Sequence, residues 1–192
     1  DDALELGALN ALVKQLQKSG SDFVVGDCTR MKGITRVKRV DTRQVYAKGT
    51  RSGITFAEHP EVIRDVTAWN KLFRYDFYQW ARLRFPSGVY FEDMAVMTRA
   101  YIEAERFDVL AKSIYLWRVR TEGAKSITQQ STSDKQFEDR FDALVQMRDA
   151  IQAAIDAGKG NQANKDAFAD RLRTHDAKLH ADRLKELMAL AD

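Results

Sequence analysis

Helix-period and strand-period segments alternate along the first 130 residues, and only helix-period segments follow. Such alternation is the mark of an α/β front with a helical end. Leu9, Leu12, Val13 and Leu16 recur at i, i+3, i+4 and i+7, and Gly20 stands where a helix is usually closed, so a helix is predicted over residues 4–18. Residues 22–28 are short, β-branched and bounded by Ser and Gly, the pattern of a buried strand. Pro60 suits the first turn of a short helix through residue 66, and a second short helix over 76–82 stops before the turn-forming Pro86-Ser87-Gly88. Met94, Met97, Ala100, Tyr101 and Ala104 form a helical stripe over 91–105. Residues 107–110 and 113–120 read as two strands, the second setting Ile114, Leu116, Arg118 and Arg120 opposite Tyr115, Trp117 and Val119. Beyond 131 only Phe137, Phe141 and Phe168 remain of the aromatics, and two helices are expected on either side of Gly158-Lys159-Gly160-Asn161. The chain therefore divides into residues 1–130 and a helical extension over 131–192. Phe23, Val24 and Val25 should be buried in a sheet with Met94, Met97 and Tyr101 beneath it.

The chain has 192 residues, 44% of them hydrophobic, which is ample for a core. With 31 basic against 28 acidic residues, the net charge of +3 argues for neither nucleic acid nor membrane. The charge is uneven: 21 basic and 16 acidic residues precede position 131, and 10 and 12 follow. Residues 30–51 carry Arg30, Lys32, Arg36, Lys38, Arg39, Arg43, Lys48 and Arg51 against Asp41 alone. The ordinary reading of that stretch is a solvated basic loop. It also suits an anionic polymer or the inner membrane surface, and it is the basis of an alternative function, a nucleic-acid-binding module, for which Tyr46 is the sole aromatic support. A second alternative is a non-catalytic helical interaction protein built on residues 131–192. One cysteine, Cys28, excludes an internal disulfide and a four-cysteine zinc site. No apolar run reaches the roughly 18 to 20 residues of a membrane span, and no signal-peptide series opens the chain, so the cytoplasm is the expected compartment.

Two acidic pairs stand at helix starts, Asp1-Asp2 and Glu92-Asp93. The helix dipole accounts for either alone; together they suit a site that holds a metal diphosphate beside a general base. The segment Trp69-Asn70-Lys71-Leu72-Phe73-Arg74 has a plain structural reading: Trp69, Leu72 and Phe73 buried, Asn70 capping, Lys71 in water. Trp117-Arg118-Val119-Arg120, followed by Glu122-Gly123 and Ser126-Ile127-Thr128, reads plainly as an edge strand and its turn. An arginine fork with a Ser/Thr loop also suits phosphate oxygens.

The order of these pieces, from Trp69 to Phe77, through Leu83-Arg84-Phe85-Pro86-Ser87-Gly88 and Phe91-Glu92-Asp93, to Trp117-Arg118-Val119-Arg120 and Ser126-Ile127-Thr128, resembles the second half of bacterial family 2 glycosyltransferases. The likeness is nearest to members that build cell-wall, teichoic-acid or capsule polymers. Their Asp-x-Asp motif precedes a Gly-Ala-Leu-rich helix, as Asp1-Asp2 precedes Leu6-Gly7-Ala8-Leu9 here, so the chain is expected to begin inside that motif and to be incomplete as given. The resemblance implies the carboxy-terminal part of a GT-A, Rossmann-like domain followed by the helical tail. It also implies a metal-dependent, inverting, hexosyltransferase-like enzyme that moves a sugar from a nucleotide-diphosphate donor to a hydroxyl of an anionic or polyol polymer. On that reading Asp1 and Asp2 hold a divalent cation, Mn or Mg, while Asp93 is the base and Glu92 assists it. Trp69, Asn70 and Lys71 line the sugar and acceptor pocket, and Arg118, Arg120, Ser126 and Thr128 close on the diphosphate. Nucleic acid is not an expected partner; peripheral contact with the inner face of the membrane is.

Overall fold

The structure is a computed structural model of the chain and describes residues 2–120, 134–174 and 176. Two compact units interleave along the sequence. The first takes Asp1–Ile54, Thr67–Trp80 and Ala104–Ser131; the second takes Thr55–Val66, Ala81–Glu103 and Thr132–Asp192.

The first unit is a six-stranded sheet with helices. Its strands are β1 (Ala3–Leu4), β2 (Phe23–Lys32), β3 (Thr35–Lys38), β4 (Arg51–Ile54), β5 (Lys71–Phe73) and β6 (Phe107–Val119); its helices are α1 (Ala8–Ser19), α2 (Arg43–Tyr46) and α3 (Tyr75–Trp80). The order β1-β6-β2-β3 is extended by β4 on β6 and β5 on β2. β2 and β6 run parallel, which requires a long crossover, and every other pairing is antiparallel. Phe23, Val24 and Val25 are fully buried, as expected, with Phe107, Val109 and Ile114 of β6. Phe23 anchors an aromatic stack, its ring centroid 5.1 Å from Phe73, 5.2 Å from Phe107 and 5.9 Å from Phe77. The α1 stripe of Ala8, Leu12 and Leu16 packs on Val24 and Ile114.

Three boundaries differ from the sequence reading. α1 begins at Ala8 rather than near residue 4, because Gly7 adopts a left-handed conformation (φ 73°) and Ala3–Leu4 pairs with β6 instead. The two strands expected over 107–120 are one strand. Leu110 pairs with Gly26, Ser113 with Asp27 and Tyr115 with Cys28, so Ala111 and Lys112, and then Ile114, are skipped in the ladder to β2, which breaks the alternation without ending the strand. Residues 30–51 are not a solvated loop: they finish β2, form the hairpin partner β3 and helix α2, and enter β4.

The second unit holds a 3-10 turn over Pro60–Arg64 and the helices α4 (Glu92–Glu103), α5 (Asp134–Asp156) and α6 (Gln162–Thr174). α4 packs along α5, and α6 packs on the 3-10 turn. Ile63, Met97, Tyr101, Leu144, Met147, Ile151, Phe168 and Leu172 are fully buried here. The Tyr101 hydroxyl donates to the Asp65 carbonyl at 2.9 Å; burial, and then the Asp65 charge, push the phenol well above its ordinary pKa. α5 ends at the left-handed Gly158 (φ 72°), in the Gly-Lys-Gly-Asn break read from the sequence. Asn161 Oδ1 then accepts the Ala163 N–H at 3.0 Å, and Asn164 donates to the Phe56 carbonyl at 2.8 Å, tying the start of α6 to the Phe56 segment. At the other end the buried Arg171 donates to the carbonyls of Ile63 (3.0 Å) and Arg64 (3.3 Å). Asp176 pairs with both Arg171 and Arg140. Among the described residues no helix is long and apolar enough to cross a membrane.

Candidate functional site

In the first unit, β6 brings Tyr115, Trp117 and Arg118 to the chain's opening residues. Asp2 lies alongside: one carboxylate oxygen accepts the Arg118 backbone N–H at 2.8 Å and the other accepts the Tyr115 hydroxyl at 3.1 Å. The phenol is pushed up to about 12, first by burial and then by the Asp2 charge and hydrogen bond. Trp69 stacks on the Tyr115 ring at 4.2 Å and lies 6.1 Å from the tilted Trp117 ring. All three rings are half-buried, so each keeps part of its surface in solvent.

Two guanidinium groups complete this wall. Arg30 lies 4.8 Å from the Trp117 centroid, and Arg39 lies 5.8 Å from Trp69 and 5.6 Å from Trp117. Asp41 joins them, at 2.6 Å from Arg39 and 3.4 Å from Arg30. Burial acts to raise the Asp41 carboxyl, but the Arg39 hydrogen bond and charge, with the Arg30 charge, outweigh it and hold the group below its ordinary value. The sequence places Arg30, Arg39 and Asp41 only in a basic stretch and Tyr115 only on a strand face, and gives none of them a part in this wall. The one available signal was Asp41 itself, an isolated acid among eight cations.

Behind the wall Asn70 is fully buried. Its amide donates to the Gly26 carbonyl at 2.9 Å and to the Tyr46 hydroxyl at 3.3 Å, while its oxygen accepts from Thr67 and from the Lys71 ammonium, both at 3.1 Å. The Tyr46 hydroxyl also reaches Gly26 O, at 2.8 Å. Lys71 Nζ, half-buried, donates to the Thr67 carbonyl at 2.6 Å. Asn70 and Lys71 thus brace the start of β5; Asn70 is wholly enclosed, whereas Trp69 and Lys71 are both half-buried. Arg118 and Arg120 are exposed at the end of β6. Asp1, Ser126 and Thr128 lie outside the described residues.

Glu92 and Asp93 belong to the second unit and form the first turn of α4. Phe91, just before them, has a positive φ of 58°, as does Arg82 (φ 49°) at the other end of the same loop. Strained non-glycine backbone of this kind persists only where the surroundings enforce it, and it concentrates at functional loops. The Arg140 guanidinium covers the Phe91 ring at 5.3 Å, and Asp139 accepts the Tyr90 N–H at 2.8 Å. The loop and the facing sides of α4 and α5 enclose a cavity of about 730 Å³, within the size range of small-molecule sites. Glu92, Arg82, Arg84 and Arg99 line it over a floor of alanines from α5; Asp93 is half-buried and is not part of the lining.

Among the described residues no group of three or more His, Cys, Asp or Glu side chains is placed to hold a metal ion. Asp2 nevertheless keeps ligand capacity. A carboxylate offers about four lone-pair sites, and the two hydrogen bonds use two of them. One such carboxylate with substrate phosphates is the usual way Mg²⁺ is held, so the residue fits a cation that arrives with a diphosphate.

No protein-family model matches the sequence, and no protein with a curated description matches it. Solved structures do. The chain superposes on S. aureus TarS 1–349 in complex with UDP-GlcNAc with a TM-score of 0.75 at 18% identity, covering 100% of this chain and 56% of that one. TarS 1–349 without ligand gives 0.69 at 16% identity over 100% and 52%, and its complex with UDP gives 0.67 at 17% over 99% and 52%. The fold is therefore that of TarS over about half of its solved length. The α/β class expected from the sequence stands.

Proposed function

We propose that the chain is part of a nucleotide-sugar glycosyltransferase of family 2, GT-A type, with a uridine diphosphate sugar as donor. The observation that supports this reading is the match of the whole chain to a fold whose solved examples carry UDP-GlcNAc and UDP. The order of motifs that resembles the second half of such enzymes runs through the same residues. A divalent cation, when bound, neutralises the leaving diphosphate; Asp2, with Asp1 before it, is the group that would hold it.

The remaining roles fall to side chains of this chain. Trp69 and Trp117, half-buried and packed with Arg30 and Arg39, keep an exposed part of each ring that a sugar or polyol can meet. Arg118 and Arg120, with Ser126 and Thr128, supply donors for diphosphate oxygens. The acceptor hydroxyl attacks the anomeric carbon opposite the diphosphate; the carbon–oxygen bond to the diphosphate breaks, and the hydroxyl proton passes to Asp93, giving inversion. Glu92 assists from the cavity rim. The acceptor is a polymer with anionic or polyol units.

The test is calorimetric titration of the full-length protein with UDP and UDP-GlcNAc, with and without Mn²⁺. Asp2→Asn should weaken nucleotide and Mn²⁺ binding together, because the cation bridges protein and diphosphate. Unchanged affinity in Asp2→Asn, or no nucleotide binding by the parent, would remove this assignment.

A further inference from the structure

The β2–β3 hairpin is built unlike the rest of the first unit. Lys32 pairs directly with Thr35, so its turn is the two residues Gly33 and Ile34. Gly33 takes a positive φ of 60°, the requirement of the first central position in a tight hairpin turn, and this leaves Ile34 at the apex, 99% exposed. Val37 and Val40 behind it are 49% and 79% exposed. Directly opposed residues share a face, so Arg30, Lys32 and Val37 lie on one side of the ribbon and Met31, Arg36 and Lys38 on the other. Cations thus ring the apex on both faces. Arg36 pairs with Glu5 at 2.7 Å, which sets Leu6, also 99% exposed, beside the ribbon's flank. Arg30 shares Asp41, whereas Lys32 and Lys38 have no carboxylate partner among the described residues.

We infer that this hairpin is a docking element for an anionic lipid bilayer, with Ile34 entering the acyl boundary and Lys32, Lys38 and Arg36 lying at the headgroups. The charge is complementary to such a surface, and the aliphatic apex decides between polyanions. A dissolved nucleic acid or polyphosphate offers Ile34 no apolar phase, and single-strand binders add stacking aromatics, of which residues 32–38 have none. One aliphatic tip with a few cations gives weak, reversible attachment, strongest at low salt. The inference goes beyond the glycosyltransferase reading and needs no nucleotide to test.

The experiment is co-sedimentation of the full-length protein with vesicles of phosphatidylcholine alone or mixed with phosphatidylglycerol, over a range of salt. Binding is expected with the mixed vesicles only and should fall as salt rises. Ile34→Asp should lower it about tenfold or more, the loss of one buried aliphatic side chain, and each of Lys32→Ala and Lys38→Ala about fivefold. All three positions are exposed, so melting temperatures should be unchanged; Ile34→Ser serves if Ile34→Asp is poorly folded. No binding to phosphatidylglycerol vesicles would overturn the proposal. Equal binding by the Ile34 variants, with full competition by soluble polyphosphate, would overturn it too by showing a surface for dissolved polyanions.

Discussion

Asp41 shows how one carboxylate organises a wall of larger groups. It carries two guanidinium groups that cover Trp69 and Trp117, and its partner Arg39 is only 7% exposed. Removing one member of so buried a pair leaves the other charged and poorly solvated, so Asp41→Asn is expected to cost about 3 kcal/mol in urea unfolding. Its folded pKa is depressed, so the stability it contributes is present above the ordinary carboxylate value of about 4 and is lost as pH falls through the folded pKa. The parent's acid unfolding should therefore be steeper than that of Asp41→Asn. None of this was legible locally, because the rings that Arg39 covers come from distant parts of the chain, and an acid among cations looks like a solvated ion pair. Asn70 is similar: its motif is visible in the sequence, but the partners of its amide, the Gly26 carbonyl and the Tyr46 hydroxyl, are not.

At the level of elements, periodicity was a good guide wherever a helix or strand buries one regular face. α4 and the buried half of β2 follow their apolar patterns, whereas in α1 only Leu12 and Leu16 of the expected stripe are buried: Ala8 joins them, and Leu9 and Val13 are exposed. Periodicity fails at β6, where the ladder to β2 slips at Ala111 and Lys112 and again at Ile114, and at β3, whose four residues are all exposed and so carry no hydrophobic pattern. The β2–β6 contact itself depends on Gly26. A Cβ there would stand 2.4 Å from Ile114 Cγ1, a contact that the middle of a packed strand cannot relieve by rotating a chain end. Gly26→Ala should cost about 1 to 3 kcal/mol, as overpacking does, and Ile114→Ala should recover part of that loss when combined with it, contrary to its effect alone. A double-mutant cycle by thermal melting checks this; simple additivity would show that the two positions do not clash.

For the molecule as a whole, local pattern identifies elements and says little of their partners. Arg171 of α6 reaches the Ile63 carbonyl 108 positions away, and no periodicity announces that contact. The resemblance in motif order implied an α/β fold that periodicity could only outline, and in fold alone the chain matches TarS, whereas the strained loop before Glu92 and the cavity behind it become visible only in three dimensions. The central claim, sugar transfer from a nucleotide donor with Asp93 as base, is tested most directly by turnover. UDP release from UDP-GlcNAc at saturating donor and Mn²⁺ should be measured in the full-length protein and in Asp93→Asn, beside their melting temperatures. The account predicts acceptor-dependent release by the parent and a drop of roughly 10² to 10⁴ in the variant with its fold intact. A folded Asp93→Asn that releases UDP as fast as the parent would contradict it, since an acid serving only the helix dipole would cost about 0.3 to 1 kcal/mol of stability and leave turnover unchanged.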